Sequence, residues 1–146
     1  MTTPTPSPAD TPAPNLLAHA PVLMCKDVQA AVDFWRDKVG FGNIRTFFGP
    51  PPSFAILDRD GLSIMLALLD DPEALRTYQP HWKLRDMTAQ CYFWVSDAKA
   101  LYHELKLRGA PIDFELCDQP WGCREFGIQD LEHHDIVFGQ DLASDA

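Results

Sequence analysis

The feature that most constrains the fold of this chain is an order of elements that occurs twice, with Asp97 lying 70 residues after Asp27. Each aspartate follows a short apolar run of strand length and precedes apolar residues spaced three and four apart. Because an aspartate carboxylate accepts hydrogen bonds from the free amides of a first helical turn, both positions predict the start of an amphipathic helix. Gly40 and Gly109 follow the two patterns, and glycine is common just past a helix end. The chain therefore contains two similar units.

Three further segments of strand length follow each predicted helix. In chain order they are 47–48, 54–57, 62–68, 112–116, 125–128 and 136–138. Residues 58–61, with the sequence Asp-Arg-Asp-Gly, predict a hairpin turn in the first unit. We therefore predict an α+β fold of two βαβββ units, at about 16–68 and 89–142, which form curved mixed sheets with helices outside. The other face of each sheet must be covered by a paired unit, in the same chain or across a dimer, or must line a cavity.

Length and composition suit one domain. A chain of 146 residues with a hydrophobic share of 46% can bury a real core, and we assign the single domain to residues 16–146. Residues 1–15 hold five of the 13 prolines and almost no large apolar side chain, so they predict a disordered, proline-rich tail. Residues 69–88 join the two units, and 78–82 within them are expected to be partly ordered.

Charge and cysteine usage narrow the functional classes. With 12 Lys and Arg against 21 Asp and Glu, the formal net charge is −9, which disfavours binding to nucleic-acid phosphates and leaves room for a cationic ligand. No apolar run reaches the roughly 20 residues of a membrane span, and the N-terminus lacks the pattern of a signal peptide. The four cysteines form no Cys-x-x-Cys pair. We therefore expect reduced thiols and a cytoplasmic protein.

Several segments carry a resemblance to a known family. They are Ala20-Pro21-Val22-Leu23 with Asp27-Val28, then Ala31-Val32-Asp33-Phe34-Trp35, then Val39-Gly40-Phe41, and finally Gln119-Pro120-Trp121-Gly122-Cys123-Arg124-Glu125-Phe126. In these segments the chain resembles the vicinal-oxygen-chelate superfamily of glyoxalases, ring-cleaving dioxygenases and bleomycin-resistance proteins, and most nearly the last group. The likeness covers about 17–142 and implies a glyoxalase/bleomycin-resistance-like domain that pairs as a homodimer.

The resemblance also indicates where a metal would be held. Enzymes of this superfamily bind a divalent metal with four side chains, from the first and fourth strands of each unit. The matching positions here are Ala20, Met65, Gln90 and Val137. Only Gln90 offers an oxygen, and a methionine thioether is a poor ligand for zinc, iron or manganese. The resemblance therefore implies no metal, no cofactor and no catalytic residue.

Histidines offer other positions for a metal ligand. His19 lies next to the first-strand position, but its use would turn Val22 and Met24 to the opposite face, because side chains alternate along a strand. We predict a surface residue at His19. Residues 133–135, with the sequence His-His-Asp, lie where relatives carry a tight turn, so all three are expected in an exposed turn. His133 replaces a glycine of that turn, which predicts a positive φ.

Aromatic residues are the remaining candidates for a binding site. Phe54, Tyr92, Trp94 and Trp121 are all expected near the cavity, and any one ring alone is consistent with either core or groove. Tyr92 and Trp94 face the same side of their strand. Bleomycin-resistance proteins sandwich the flat tail of the drug between aromatic rings at a dimer interface, and Phe54, Tyr92 and Trp121 match positions that line this groove. Trp35 lies on the apolar stripe of the first helix and is predicted to pack in the core.

Three functions remain open from the sequence. The first is a metal-free binding protein that sequesters a bulky aromatic cation, with bleomycin-type antibiotics as the family precedent, in a dimer groove. The alternative is a glyoxalase-like or dioxygenase-like metalloenzyme of the same superfamily that uses other ligands, and the third is a dimeric scaffold whose groove binds another metabolite. In the family the first strand is exchanged between subunits, and Pro21 matches its proline, a residue suited to edges and hinges.

Overall fold

The computed structural model describes residues 14–71 and 89–145 of the chain. Nearly all of the predicted tail, and the segment at 78–82, lie outside the described residues. Two four-stranded sheets are present, one in each half of the sequence, and one helix belongs to each sheet.

The first unit contains five elements in chain order. They are β1 (Val22–Cys25), α1 (Val28–Val39), β2 (Gly42–Phe47), β3 (Phe54–Arg59) and β4 (Leu62–Leu68). The strand order is β1-β4-β3-β2, in which β1 is parallel to β4 and the other neighbours are antiparallel. A parallel pair needs a crossover connection, and α1 forms part of it.

The second unit repeats this arrangement. It contains β5 (Cys91–Trp94), α2 (Ala98–Leu107), β6 (Ile112–Asp118), β7 (Cys123–Gln129) and β8 (Asp135–Asp141), followed by a short 3₁₀ helix (Leu142–Asp145). The strand order is β5-β8-β7-β6, and β5 is parallel to β8. The predicted α+β fold of two βαβββ units with mixed sheets is therefore confirmed.

Both predicted helix starts are confirmed by their capping hydrogen bonds. The carboxylate of Asp27 accepts from the amide of Ala30 at 3.1 Å, and that of Asp97 accepts from the amide of Ala100 at 3.0 Å. The first helix ends at Gly40 with a φ of 78°, a left-handed conformation that glycine adopts without a Cβ penalty. Neither helix of the described residues has the length and apolar character needed to cross a membrane.

The strand expected at 47–48 is wrong in its bounds. The strand there is β2, which begins at Gly42 and ends at Phe47, whereas Phe48 has a φ of 59° and lies outside it. The sequence does not predict the full length of this strand because its residues are mostly polar and exposed, so they show no alternation of apolar and polar side chains. The hairpin predicted between β3 and β4 is confirmed, since Asp60 and Gly61 both have positive φ, as a two-residue turn of this kind requires.

A single buried core joins the two units. Side chains that point toward the helices from both sheets form one apolar cluster, and Phe41 of the first unit lies 6.1 Å from Phe93 of the second, measured between ring centroids. Trp35 is fully buried at this core, which confirms its predicted role in packing. The two sheets therefore meet through their helix-bearing sides, and their opposite faces do not contribute to this shared core.

Polar contacts reinforce this junction. The Arg59 guanidinium, at the end of β3, donates to both carboxylate oxygens of Glu104 on α2, at 2.8 and 2.9 Å, and to the carbonyl of Val39 at 2.7 Å. On another part of the junction, the amide of Lys26 donates to the Glu132 carboxylate at 2.9 Å. The bonds to Glu104 and to Glu132 cross from the first unit to the second, whereas the bond to Val39 stays within the first unit.

The turn at residues 133–135 is exposed only at its first residue. His133 is exposed and has the expected positive φ of 61°, but His134 is 2% exposed and Asp135 is also buried, so the prediction is wrong for these two. The cause is Asp130, whose carboxylate accepts from the amide of His134 at 2.8 Å and lies 2.7 Å from its Nδ1. These bonds draw the His134 ring into the protein.

All four cysteines are outside disulfide bonds. Cys25, Cys91 and Cys123 are buried, as expected for small packing residues beside strands, and Cys117 is exposed. Burial raises the pKa of Cys25 and of Cys91 to about 12, so both remain neutral thiols near pH 7.

Candidate functional site

Each sheet has one face that carries no helix, and strand register identifies the side chains on it. The first helix-free face is formed by two cross-strand rows, Val22–Met65–Ile56–Arg45 and Met24–Ala67–Phe54–Phe47. The second helix-free face is formed by the rows Tyr92–Val137–Gly127–Phe114 and Trp94–Gly139–Glu125–Cys117. Because strand neighbours in register point to the same side, each row lies on one surface.

Three aromatic rings surround one carboxylate on the second helix-free face. The Tyr92 hydroxyl donates to Glu125 Oε2 at 2.6 Å, and the Trp121 indole nitrogen donates to the same oxygen at 3.3 Å. The ring of Trp94 packs edge-on against Tyr92, with centroids 5.0 Å apart. We call Tyr92, Trp94, Trp121 and Glu125 the Glu125 cluster.

A glycine on β8 makes room for this arrangement. Gly139 lies in register between Trp94 on β5 and Glu125 on β7. A Cβ at Gly139 would overlap the hydroxyl and ring of Tyr92. Since glycine has no Cβ, the Tyr92 side chain can lie across β8 and reach Glu125.

The loop between β6 and β7 supplies the third ring. Gln119 closes this turn, because its amide donates to the carbonyl of Cys123 at 2.8 Å and its carbonyl accepts from the amide of Gly122 at 3.1 Å. Gly122 has a φ of 84°, a conformation that favours glycine. Trp121 therefore stands at the tip of a closed turn, within reach of Glu125.

The carboxylate of this cluster is buried, but its rings are not. Glu125 is 4% exposed, while Tyr92, Trp121 and Trp94 are 38%, 46% and 63% exposed. Within 14–71 and 89–145, no Lys, Arg or His forms an ion pair with Glu125. Exposed aromatic rings around a polar group are typical of a ligand site rather than of a core.

The electrostatics of the cluster keep Tyr92 a hydrogen-bond donor. Burial and the hydrogen bond to the Glu125 carboxylate raise the pKa of the Tyr92 phenol above its ordinary value, because a second negative charge there would be poorly solvated and repelled. Tyr92 therefore stays protonated at neutral pH.

The structure brings together two of the three residues predicted to bind a ligand. Tyr92 and Trp121 meet at Glu125, but Phe54 lies on the first helix-free face, where its ring packs 5.9 Å from that of Phe47. Sequence reasoning did not select Glu125 as a site residue. The sequence signal for Glu125 is its position four residues after Trp121, which is one of its two donors. The other donor, Tyr92, comes from β5, 33 residues earlier, and spacing does not reveal it.

The residues at the four metal positions of the resembled superfamily do not suit a metal. Met65 on β4 and Val137 on β8 provide no oxygen or nitrogen donor, and neither does Ala20. The side-chain oxygen of Gln90 already accepts from the amide of Asp135 at 2.6 Å. In the described parts of the chain, no group of three or more His, Cys, Asp and Glu side chains could hold a metal ion. His19, weighed as a substitute ligand, is exposed as predicted.

A cleft lies between the two units, away from Glu125. It has a volume of about 470 Å³ and is lined by Phe41, Leu62, Phe93 and Leu101, with the Arg59–Glu104 ion pair on its wall. Asp60, Ser96 and Asp97 also line this cleft, and the Asp97 carboxylate there accepts the capping hydrogen bond of α2, so the lining is both apolar and charged.

The chain is similar to a known protein family and to several solved structures. Residues 17–138 match the family model described as the Glyoxalase/Bleomycin resistance protein/Dioxygenase superfamily. No curated protein matches the chain. A crystal structure of TioX from Micromonospora sp. ML1 is similar at 27% identity, covers 86% of this chain and 99% of that chain, and has a TM-score of 0.63.

Two further structures have the same fold. One is the bleomycin-binding protein from bleomycin-producing Streptomyces verticillus complexed with copper(II)-bleomycin, at 26% identity, with 86% of this chain and 97% of that chain covered and a TM-score of 0.61. The other is TnmS3, an antibiotic binding protein from Streptomyces sp. CB03234, at 23% identity, with 86% and 97% covered and a TM-score of 0.58. The last likeness supports the fold alone.

Proposed function

The chain belongs to the glyoxalase/bleomycin resistance protein/dioxygenase superfamily, and we propose that it is a member that sequesters a bulky aromatic cation, such as a bleomycin-type antibiotic, without making or breaking a bond. The observation that carries this proposal is the Glu125 cluster, in which exposed rings surround a buried carboxylate. A fold alone does not define a function, so the argument rests on this site.

The rings supply the surface for a planar ligand. Tyr92, Trp94 and Trp121 each have a large exposed fraction, and a flat aromatic group that covers them would bury that area. Stacking between aromatic groups contributes about 0.5–1.5 kcal/mol per pair beyond the area buried. These contacts add to the free energy gained from the buried area, and a polar group beside the rings fixes the orientation of the ligand.

Charge supports a cationic ligand. The net charge of −9 raises the local concentration of cations around the protein, and the Glu125 carboxylate lies within the aromatic surface itself. A relative at 26% identity was crystallised with copper(II)-bleomycin, which is consistent with this ligand class.

The donor set does not support the metalloenzyme alternative. Superfamily enzymes need side chains that hold a divalent ion, and Ala20, Met65 and Val137 cannot do so. Gln90, the fourth, uses its oxygen in a hydrogen bond to the backbone of Asp135. We therefore derive no catalytic step for this chain.

Pairing of two copies would complete the groove. Phe54 belongs to the first helix-free face, which also exposes Val22 and Phe47. In the proposed homodimer, this face of one copy lies opposite the second helix-free face of its partner, so Phe54 and Trp121 stack on the two sides of one ligand. The free cysteines agree with a reducing compartment, and we propose the cytoplasm.

The test is a titration with metal-free bleomycin and with copper(II)-bleomycin. Isothermal calorimetry is suitable because W121A removes one of the fluorescent reporters. We expect the parent to bind and W121A to bind about tenfold more weakly, since one stacking partner is lost. L107A serves as the control, because Leu107 is exposed on α2. If W121A binds as tightly as the parent, or if the purified parent contains one equivalent of a transition metal, the proposed function is wrong.

A further inference from the structure

We propose that Glu125 is the residue that selects a positively charged aromatic group over a neutral one of the same shape. This inference rests on the proposed function, because it assigns the charge preference of that same site to one side chain. It names the ligand class as planar aromatic rings that carry a positive charge with an N–H donor.

The two hydrogen bonds that described side chains donate to Glu125 both end on one carboxylate oxygen. Tyr92 and Trp121 both donate to Oε2, and no hydrogen bond from another described side chain ends on Oε1. Tyr92 and Trp121 are neutral donors, so they orient the carboxylate without cancelling its charge. An N–H group of a ligand on the aromatic surface would therefore meet an oriented oxygen acceptor.

The cost of burying this carboxylate explains why a cation is favoured. Glu125 is 4% exposed, and a buried negative charge is poorly stabilised unless a positive charge or several donors accompany it. A cationic ligand would supply the missing positive charge in surroundings where the interaction is stronger than in water. A neutral ring of the same size would gain the stacking and lose this ion pair.

The rings themselves favour the same ligand. Trp121, which donates to the carboxylate, and Trp94, which packs on Tyr92, are both partly exposed, and a cation over an aromatic face is attracted by the ring quadrupole. Because Tyr92 stays protonated, it competes with the ligand only for Oε2. Carboxylate and rings therefore act on the same charged group.

The corresponding position in the first unit indicates that this charge is a specific feature. Phe54 occupies in the row Met24–Ala67–Phe54–Phe47 the place that Glu125 occupies in the row Trp94–Gly139–Glu125–Cys117. The sheet can therefore carry an apolar residue at this place, and burial of a carboxylate there is not required by the fold.

Two tricyclic probes of nearly equal shape test the inference. 9-Aminoacridine is a planar cation at pH 7 with N–H donors, and acridone is its neutral counterpart. Fluorescence titrations of both probes are carried out with the full chain, with E125Q and with E115Q. E125Q keeps an oxygen that can accept from Tyr92 and Trp121 but removes the charge. E115Q removes one charge from an exposed residue of β6 and is the matched control.

We expect the parent to bind 9-aminoacridine more tightly than acridone. E125Q should weaken 9-aminoacridine binding by about tenfold or more, as for loss of a charged hydrogen bond, and change acridone binding less than twofold. E115Q should leave both affinities unchanged. E125D, which keeps the charge, should retain the preference for the cation.

Other outcomes overturn the inference in distinguishable ways. Equal loss of both probes in E125Q means that Glu125 only positions the rings, and no loss of either means that it is not part of the site. If E125Q does not fold, the parent alone decides, since equal affinity for the two probes contradicts the proposal. Absence of binding of either probe and of bleomycin to the parent contradicts the proposed function as well.

Discussion

The two helix-free faces occupy equivalent places in equivalent sheets, yet they carry different chemistry. In the first, Val22 and Phe54 take the places that Tyr92 and Glu125 take in the second. The first face contributes apolar groups, and its charged pair of Arg45 and Asp58, at 2.6 Å, is self-contained. The second face contributes the donors and the Glu125 carboxylate, which has no ion pair among residues 14–71 and 89–145.

This difference indicates how two units with the same βαβββ fold can supply the two sides of one binding groove. The helix-bearing sides of both sheets merge into one core and must remain apolar, so they leave little freedom for function. The helix-free faces are under no such constraint. One can therefore supply an apolar wall for a flat ligand, and the other the groups that select its charge.

The largest effects are expected where the two units are alike. Trp35 on α1 and Leu105 on α2 are equivalent by the 70-residue spacing, and both are fully buried. W35A should lower the free energy of unfolding by roughly 3–5 kcal/mol and L105A by roughly 2–5 kcal/mol, because each leaves a cavity in the shared core. Chemical denaturation followed by circular dichroism measures both. A loss below about 1 kcal/mol for either residue would mean that its unit does not depend on the common core.

Filling the glycine on β8 should make the second face resemble the first. G139A introduces the methyl group that Ala67 already carries in the equivalent place, and it collides with Tyr92. We expect a loss of about 1–3 kcal/mol in stability from overpacking, together with weaker binding of bleomycin. Thermal unfolding and calorimetry measure the two effects. A67G is the reciprocal control, with a smaller loss of about 0.5–1 kcal/mol and no displacement of Tyr92.

How much of this was available from the sequence depends on the range of the interactions. Asp27 and Asp97 could be assigned as caps, because a cap bonds to an amide three residues away. Alternation along β5 likewise placed Tyr92 and Trp94 on one face, as the structure has them. These features obey local rules of spacing.

The features that were missed depend on partners distant in sequence. β2 is a mostly polar edge strand whose hydrogen bonds come from β3, so its own residues give no clear pattern. The role of Glu125 likewise depends on Tyr92, 33 residues earlier, together with a turn. The burial of His134 is the exception, because its partner Asp130 is only four residues earlier, and the expectation of an exposed turn did not include that bond. Hydrogen bonds between strands and loops that are distant in sequence cannot be predicted from residue spacing alone.

Mixing two defective chains tests whether the two faces form one site across a dimer. F54A damages the first face and W121A the second, and each alone should weaken bleomycin binding by about tenfold. In a mixed dimer one groove would carry both defects and the other none. The two chains are co-expressed with different tags, and dimers that contain one F54A chain and one W121A chain are purified through both tags. We expect these mixed dimers to bind with parent affinity at about half the number of sites.

The same experiment distinguishes a site within one chain. If both walls belonged to a single copy, every chain in the mixture would still be defective, and no high-affinity sites would return. Sedimentation velocity of the parent provides the control, because a monomer at the titration concentration contradicts the dimer groove directly.

The smallest expected effect concerns the ion pair that joins the units. The Arg59 guanidinium lowers the pKa of the Glu104 carboxyl below its ordinary value of 4.5, so the pair stabilises the folded protein at pH values above 4.5 and this stabilisation is lost as pH falls through the lowered pKa. The pair is partly exposed to solvent, so R59A should cost only about 1 kcal/mol at pH 7. The difference in melting temperature between parent and R59A should shrink as the pH is lowered from 5 to 3. R36A is the matched control, since Arg36 pairs with the exposed Asp33 and Asp37 on its own helix, and its effect on the melting temperature should be smaller than that of R59A at every pH. A difference for R59A that persists unchanged at pH 3 would mean that Arg59 acts through its bond to the Val39 carbonyl, which does not titrate, rather than through Glu104.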